Sequence, residues 1–152
     1  KARLVADGHR VPDPVVSTYS RVVSRESVRI ALTYAALMEL DIVAANIGNA
    51  CLQALTNGKY YTKLGPEFGP EYEGRLVFVV RAAYGLKEAG ADFRNHLQDC
   101  MCHLGYTSTN ADNNVWICKA TGRDSNEYYE MVLLYVDNCL VSSHEDDMAL
   151  GR

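Results

Sequence analysis

One acid in the sequence sits where a chain can hold a carboxylate still. Leu133-Leu134-Tyr135-Val136-Asp137-Asn138-Cys139-Leu140-Val141 reads as two apolar strands joined by a polar turn, with Asp137 at its tip. A carboxylate fixed in this way is a candidate for a catalytic role. Asp and Asn also bond their own turn backbone, so a purely structural turn is the alternative. Cys100, Cys102 and His103 lie close together, but no second Cys-x-x-Cys half-site completes a tetrahedral zinc centre. Their spacing suits helix positions better than metal ligation. His96 and His103 are seven apart, on one helical face, and read as surface or boundary residues. His144 with Glu145, Asp146 and Asp147 could bind a cation, but a solvated charge run past the last strand is the expectation. Trp116, Tyr128 and Tyr129 could stack on bases. Aromatic residues in strands serve more often as core or cross-strand partners.

These residues need elements to position them. Lys1 to Ala6 alternates toward a short strand, and Gly8 to Pro14 is a loop. Ser24 is the N-cap of a helix reaching about Leu40, with Glu26 in its first turn. Val28, Ala31, Leu32, Ala35 and Met38 recur at helical spacing. Ile30, Tyr34 and Leu37 occupy the other face, so the helix is expected to be buried on more than one side. A strand over Ile42 to Ile47 follows, then a short helix over Ala50 to Leu55, stopped by Asn57-Gly58. Lys59 to Leu64 is strand-like, Gly65 to Pro70 is a loop, and Arg75 to Arg81 is a strand. Ala89 to Leu104 is a helix with Phe93, Leu97, Cys100, Met101 and Leu104 on one stripe and Gly105 as its stop. Strands are expected over Val115 to Lys119, Glu127 to Tyr135 and Cys139 to Ser142. Strict βαβ alternation is lacking, which points to an α+β fold with a largely antiparallel sheet.

Composition bounds the function. The 152 residues are 48% hydrophobic and 22% charged, which excludes intrinsic disorder, collagen and coiled coil. No apolar run reaches the ~18 residues of a membrane span. The start lacks Met and the profile of a signal peptide, so the chain reads as the middle of a longer polypeptide. Five scattered cysteines suit free thiols in a reducing, intracellular compartment. The net charge is −4, and the acidic excess gathers in residues 105–152, with three basic and eight acidic groups. Phosphate affinity comes mainly from Lys and Arg, so any nucleic-acid role must rest on a local site.

Six segments occur in an order that carries a resemblance. They are Lys1-Ala2-Arg3-Leu4-Val5-Ala6-Asp7-Gly8, Ala45-Asn46-Ile47-Gly48-Asn49-Ala50-Cys51-Leu52, Gly65-Pro66-Glu67-Phe68-Gly69, Ala83-Tyr84-Gly85-Leu86-Lys87, Asp112 to Trp116, and Leu134-Tyr135-Val136-Asp137-Asn138. Over about residues 1–147 the chain resembles the reverse transcriptase domain of copia-type LTR retrotransposon polyproteins. The resemblance implies a right-hand polymerase reduced to fingers and palm, a mostly antiparallel sheet with packed helices, and an absent thumb. Residues 1–40 and 59–88 would be fingers-like, and 41–58 and 89–147 palm-like. It implies RNA-directed DNA polymerase activity, a nucleotidyl transfer, with Mg2+ as cofactor. The implied partners are an RNA/DNA primer-template and dNTP.

The family's palm holds three aspartates, one at a strand end and two adjacent in a hairpin. They grip two Mg2+ ions about 3.5–4 Å apart, which activate the primer hydroxyl and steady the leaving pyrophosphate. Here the strand position is Asn46 and the second hairpin position is Asn138, which leaves Asp137 as the one carboxylate. Asp41 lies five residues upstream, but the motif from Ile47 to Leu52 and the spacing to Lys59-Tyr60-Tyr61 put Asn46 in the slot. Asp41 then reads as a capping or solvated residue. Ile47 would offer a backbone carbonyl to a metal. By the same resemblance Arg3, with Lys1, would grip the triphosphate. Cys51 replaces a bulky aromatic under the nucleotide sugar, and Tyr84 and Gly85 would pack against base and sugar. Plain structural readings stand beside these: edge charge for Arg3, a small buried thiol for Cys51, a strand-to-helix turn for Tyr84-Gly85. Two neutral amides in place of carboxylates imply impaired polymerisation. The alternative is a non-catalytic structural or binding module that keeps the fold within a protein assembly.

Overall fold

The computed structural model describes residues 5–7, 11, 13, 18, 20–122 and 125–144. The strand expected over Lys1 to Ala6, the loop to Pro14, Arg3 with Lys1, and the run Glu145 to Asp147 lie wholly or largely outside these residues. The chain divides into two compact units, Lys1–Ser20 with Asn49–His96, and Arg21–Gly48 with Leu97–Arg152.

The second unit is built on a five-stranded sheet. Its strands are β1 (Asp41–Asn46), β4 (Thr107–Ser108), β5 (Val115–Thr121), β6 (Glu127–Tyr135) and β7 (Asn138–Ser143). Their order is β1-β7-β6-β5-β4, with every pairing antiparallel. The run Met131-Val132-Leu133-Leu134 is apolar at consecutive positions because both faces of β6 are covered. Met131 and Leu133, with Val115, Ile117 and Leu140, pack against Val23, Val28 and Ala31 at helix α1 (Arg25–Leu37). Val132 and Leu134, with Trp116, Cys139 and Val141, pack against Leu97 and Met101 of helix α3 (Ala89–His103) and against Tyr106.

Helix α1 begins where its cap requires. The Ser24 hydroxyl accepts a hydrogen bond from the Ser27 N–H at 3.1 Å. The expectation that α1 is buried on more than one side fails. Ile30 is 67% and Leu37 78% exposed. The helix meets the sheet through the small Ala31 and Ala35, and one stripe of contact satisfies only one side of a helix. At the other end of the chain's helical set, α3 stops at Gly105, φ +88. The Tyr106 N–H reaches the Met101 carbonyl and the Gly105 N–H the Cys102 carbonyl, both at 3.0 Å, the paired closing bonds of a left-handed glycine cap.

In the first unit, the four-residue helix α2 (Ala50–Gln53) leads into β2 (Leu55–Lys63), which pairs antiparallel with β3 (Leu76–Arg81). The short helix ends at Gln53, ahead of the Asn57-Gly58 pair expected to stop it, and the strand expected from Lys59 already begins at Leu55, so β2 includes this pair. The strand runs through it, and the ladder absorbs it as an irregularity between Leu55 and Tyr60. The Asn57 amide donates to Asp92 at 2.7 Å. A Cβ at Gly58 would collide with the Tyr60 ring and the Glu88 carboxylate, so glycine lets both approach the strand. The expected loop Gly65 to Pro70 contains a single 3-10 turn over Pro66–Phe68. The α+β class with antiparallel sheets is therefore what the molecule adopts. All five cysteines are free thiols. Among the described residues no helix is long and apolar enough to cross a membrane.

Candidate functional site

The β6–β7 hairpin closes on the pair Tyr135 and Asn138, leaving Val136 and Asp137 as a two-residue turn. Val136 has φ +56, while Asp137 does not have positive φ. Positive φ at the first turn position alone is the pattern that glycine normally fills. A β-branched residue there is strained by about 1–2 kcal/mol. Paired strands on both sides hold the turn in place despite that cost.

The end of β1 lies beside this tip. Asn46 and Asn138 are direct cross-strand partners. The Ile47 N–H donates to the Asp137 carbonyl at 2.7 Å and ties the turn to the strand end. The Asn46 amide donates to the Asn138 side-chain oxygen at 3.2 Å and, more weakly, to the Asp137 carbonyl at 3.4 Å. The Asn138 amide in turn donates to the Asp137 carboxylate at 3.0 Å. Asn46 and Asn138 are exposed, and Asp137 and Ile47 are half-buried. The three side chains thus form a short donor chain ending on one carboxylate.

Two directly opposed carboxylates at positions 46 and 138 would repel each other and draw in cations. Two amides satisfy each other instead. Paired Mg2+ ions bring four positive charges, against one negative charge here, and their hard oxygen preference is met by a single carboxylate. The donor set therefore does not fit a two-ion site. Among the described residues no three His, Cys, Asp or Glu side chains converge as metal ligands. Behind the tip, burial pushes the Cys139 thiol up, and the thiol donates to the Ala45 carbonyl. It stays a protonated donor.

Asp41 pairs with Ser143, at the opposite end of the same β1–β7 ladder. Six residues of strand put it roughly 17 Å from the tip. Cys51, Tyr84 and Gly85 belong to the first compact unit. Cys51 and Tyr84 are half-buried, and Gly85 has φ +91. The Ala6 N–H donates to the Tyr84 carbonyl at 2.6 Å. The Ala6 carbonyl lies where a Gly85 Cβ would stand, so this glycine admits the chain's own backbone.

Several working residues carry little local signal. Asp112 accepts hydrogen bonds from the Ser24 N–H at 2.8 Å, the Ser27 hydroxyl at 2.7 Å and the Asn114 N–H at 3.0 Å. Burial pushes its carboxyl up, but these donors together hold it below the usual carboxylate range. It clamps the start of α1 to the turn before β5. The motif Asp112 to Trp116 was visible in the sequence, but its partner 88 residues away was not. Glu130 accepts from the Tyr106 hydroxyl at 2.8 Å and from the Ser143 hydroxyl at 2.6 Å. Burial first, and that hydrogen bond second, push the Tyr106 phenol up. In the first unit Tyr60 is pushed up to about 12, by burial and then by its bond to Glu88.

Comparison with known proteins agrees with the ordered motifs. The family described as reverse transcriptase (RNA-dependent DNA polymerase) matches residues 1–150. A retrovirus-related Pol polyprotein from transposon RE2 of Arabidopsis thaliana is 29% identical over 151 residues, covering 95% of this chain and 10% of that protein. The corresponding polyprotein from transposon RE1 is 28% identical over 148 residues, with the same coverage. The chain spans about a tenth of the length of these curated relatives. No solved structure gives a significant match.

Proposed function

Because the chain belongs to the reverse transcriptase (RNA-dependent DNA polymerase) family, we propose that it is a retroelement polymerase module whose metal-dependent nucleotidyl transfer is impaired. In this reading the five-stranded sheet is the palm-like part, within residues 41–58 and 89–147. The β2–β3 pair belongs to a fingers-like part, and the thumb is absent. The ancestral partners are an RNA/DNA primer-template and dNTP, with Mg2+ as cofactor. Cys51, Tyr84, Gly85 and Arg3 are the nucleotide-facing positions. The free thiols suit a reducing intracellular compartment.

One observation carries the reading: the hydrogen bond from the Asn46 amide to its cross-strand partner Asn138. It closes, without a cation, a site that two carboxylates would leave open for one. Polymerisation relies on metal-held positioning and on neutralising charge in the transition state. A single carboxylate supplies little of either. Primer extension with Mg2+ or Mn2+ tests this, run beside the Asn46→Asp, Asn138→Asp double variant. The chain as written should not extend a primer. Thermal melting gives a readout independent of the rest of a polymerase: Mg2+ should raise the Tm of the double variant and leave the original unmoved. Extension by the unaltered chain would overturn the reading.

A second reading is a structural or binding module within a protein assembly. It is favoured by the exposed Ile30 and Leu37 of α1 and the exposed Ile42 and Val43 of the edge strand β1. Sedimentation that shows only monomer, with and without candidate partners, counts against it.

A further inference from the structure

Of the chain's asparagines only Asn57 precedes a glycine. Such a pair is chemically labile. The glycine's backbone nitrogen can lose its proton and attack the side-chain carbonyl carbon of the asparagine. Ammonia leaves as the bond from that carbon to the side-chain nitrogen breaks, and a five-membered succinimide closes. Water then opens the ring at either carbonyl and leaves aspartate or isoaspartate. Water is the only co-reactant. Glycine favours the attack because no side chain crowds the nitrogen and its backbone turns freely.

The fold requires this pair and also restrains it. Gly58 is required because a Cβ there would collide with the Tyr60 ring and the Glu88 carboxylate. Asn57 is required because its side-chain amide donates to one oxygen of Asp92 at 2.7 Å and its backbone N–H to the other at 3.3 Å. That grip holds the nitrogen that must leave. The attacking nitrogen is held as well, since the Gly58 N–H donates to the Thr56 hydroxyl oxygen at 3.3 Å. Asp92 beside Asn57 and Glu88 beside Gly58 are both buried. Negative charge there opposes removal of a proton from the Gly58 nitrogen and growth of charge on the Asn57 oxygen. The β2–β3 ladder adds little, because its register breaks between Leu55 and Tyr60. The restraint therefore comes from Asp92 and Glu88. Asn57 is itself exposed, so water reaches it once the grip opens.

We propose that Asn57-Gly58 is a latent self-modification site, converted to aspartate or isoaspartate when β2 parts from Asp92, and that the product keeps β2 from closing again. Conversion removes the donor to Asp92 and sets a third carboxylate beside two buried acids, where an uncompensated charge is strongly destabilising. Isoaspartate also adds a methylene to the backbone of β2. The change is one-way and records each opening of the first unit. It needs no metal and no part of the Asn46 and Asn138 tip.

Peptide mass spectrometry of the full chain, incubated in mildly alkaline buffer with and without urea, tests the proposal by reading amide-to-acid conversion at each asparagine. Asn57 should convert fastest in urea. In native buffer it should convert at least about tenfold more slowly, because the reaction follows the open population alone. Asp92→Asn should narrow that gap several-fold and leave the rate in urea unchanged. Asn57→Asp, which carries the charge of the product, should melt several degrees below the original chain. Equal rates with and without urea, conversion centred on another asparagine, an undiminished gap in Asp92→Asn, or an unshifted melt of Asn57→Asp would each overturn it. The comparison with and without urea uses the unaltered chain, so it decides the matter whether or not Asp92→Asn folds.

Discussion

The two ends of the β1–β7 ladder carry polar side chains to opposite effect. At the Asp41–Ser143 end, Glu130 is saturated from within. The Tyr106 and Ser143 hydroxyls both donate to it, and Ser143 with its other neighbour Tyr128 is buried. At the Asn46–Asn138 end, the exposed amides pass hydrogen bonds along to Asp137, and the only strained backbone of the hairpin sits beside them. The first end is a polar network folded into the sheet for stability. The second is an exposed turn and strand end that carry one carboxylate and two amides. Geometry is held by the ladder, and charge by single side chains, so one can decay while the other persists.

The largest effect expected from this contrast is at the saturated end. Glu130→Ala should leave the Tyr106 phenol without its acceptor and the buried Ser143 hydroxyl with Tyr128 alone, and cost about 2–3 kcal/mol in urea unfolding. Asn46→Ala at the other end should cost under about 1 kcal/mol, because water replaces what an exposed amide loses. Comparable losses at both ends would break the comparison.

Asp112 is a third carboxylate and behaves like Glu130. Asp112→Ala should cost about 1–2 kcal/mol through loss of the donors it binds at the start of α1. Its folded pKa lies below the unfolded value, so its contribution is present above about pH 4 and is lost as pH falls through the folded value. The gap in stability between the original chain and Asp112→Ala should therefore close on acidification, as read by melting at a series of pH values. A gap that widened in acid would show that the carboxylate form is not the one that holds the helix.

Asn46→Asp with Asn138→Asp should lower stability without divalent ions by about 1 kcal/mol or less, through like charges directly opposed, and Mg2+ should restore it. The smallest effect is expected at the turn. Val136→Gly should stabilise the hairpin by roughly 0.5 kcal/mol, since relief of positive φ outweighs glycine's added freedom in the unfolded chain. Loss of stability there would mean that Val136 makes a contact worth more than its strain.

Much of this could be read in the sequence where the cause is local. Ser24 caps a helix three residues on, and Gly105 closes one over a single turn, so both boundaries stand as expected. The hairpin around Asp137 follows from two apolar runs joined by a turn with polar residues. The ordered motifs placed Asn46 against that hairpin, and the cross-strand register brings the two together. Features whose cause is distant could not be read. Ile30 and Leu37 have the spacing of core residues, but nothing in their own helix says that the sheet meets only the alanine side. Asn57-Gly58 has the composition of a stop. It remains in a strand because Asp92, 35 residues away, takes up its amide.

The order of amino acids by itself determined the family, the antiparallel class, the helix ends and the presence of one carboxylate and two amides at positions 137, 46 and 138. Those depend on residue identity and on interactions within a few positions. Only the tertiary structure decided that the two asparagines bond to each other, that Glu130 and Asp112 are spent on holding the fold, and that Asp92 and Glu88 close around Asn57-Gly58. Each of those depends on which distant backbone arrives alongside, and that is settled by burial of the sheet as a whole.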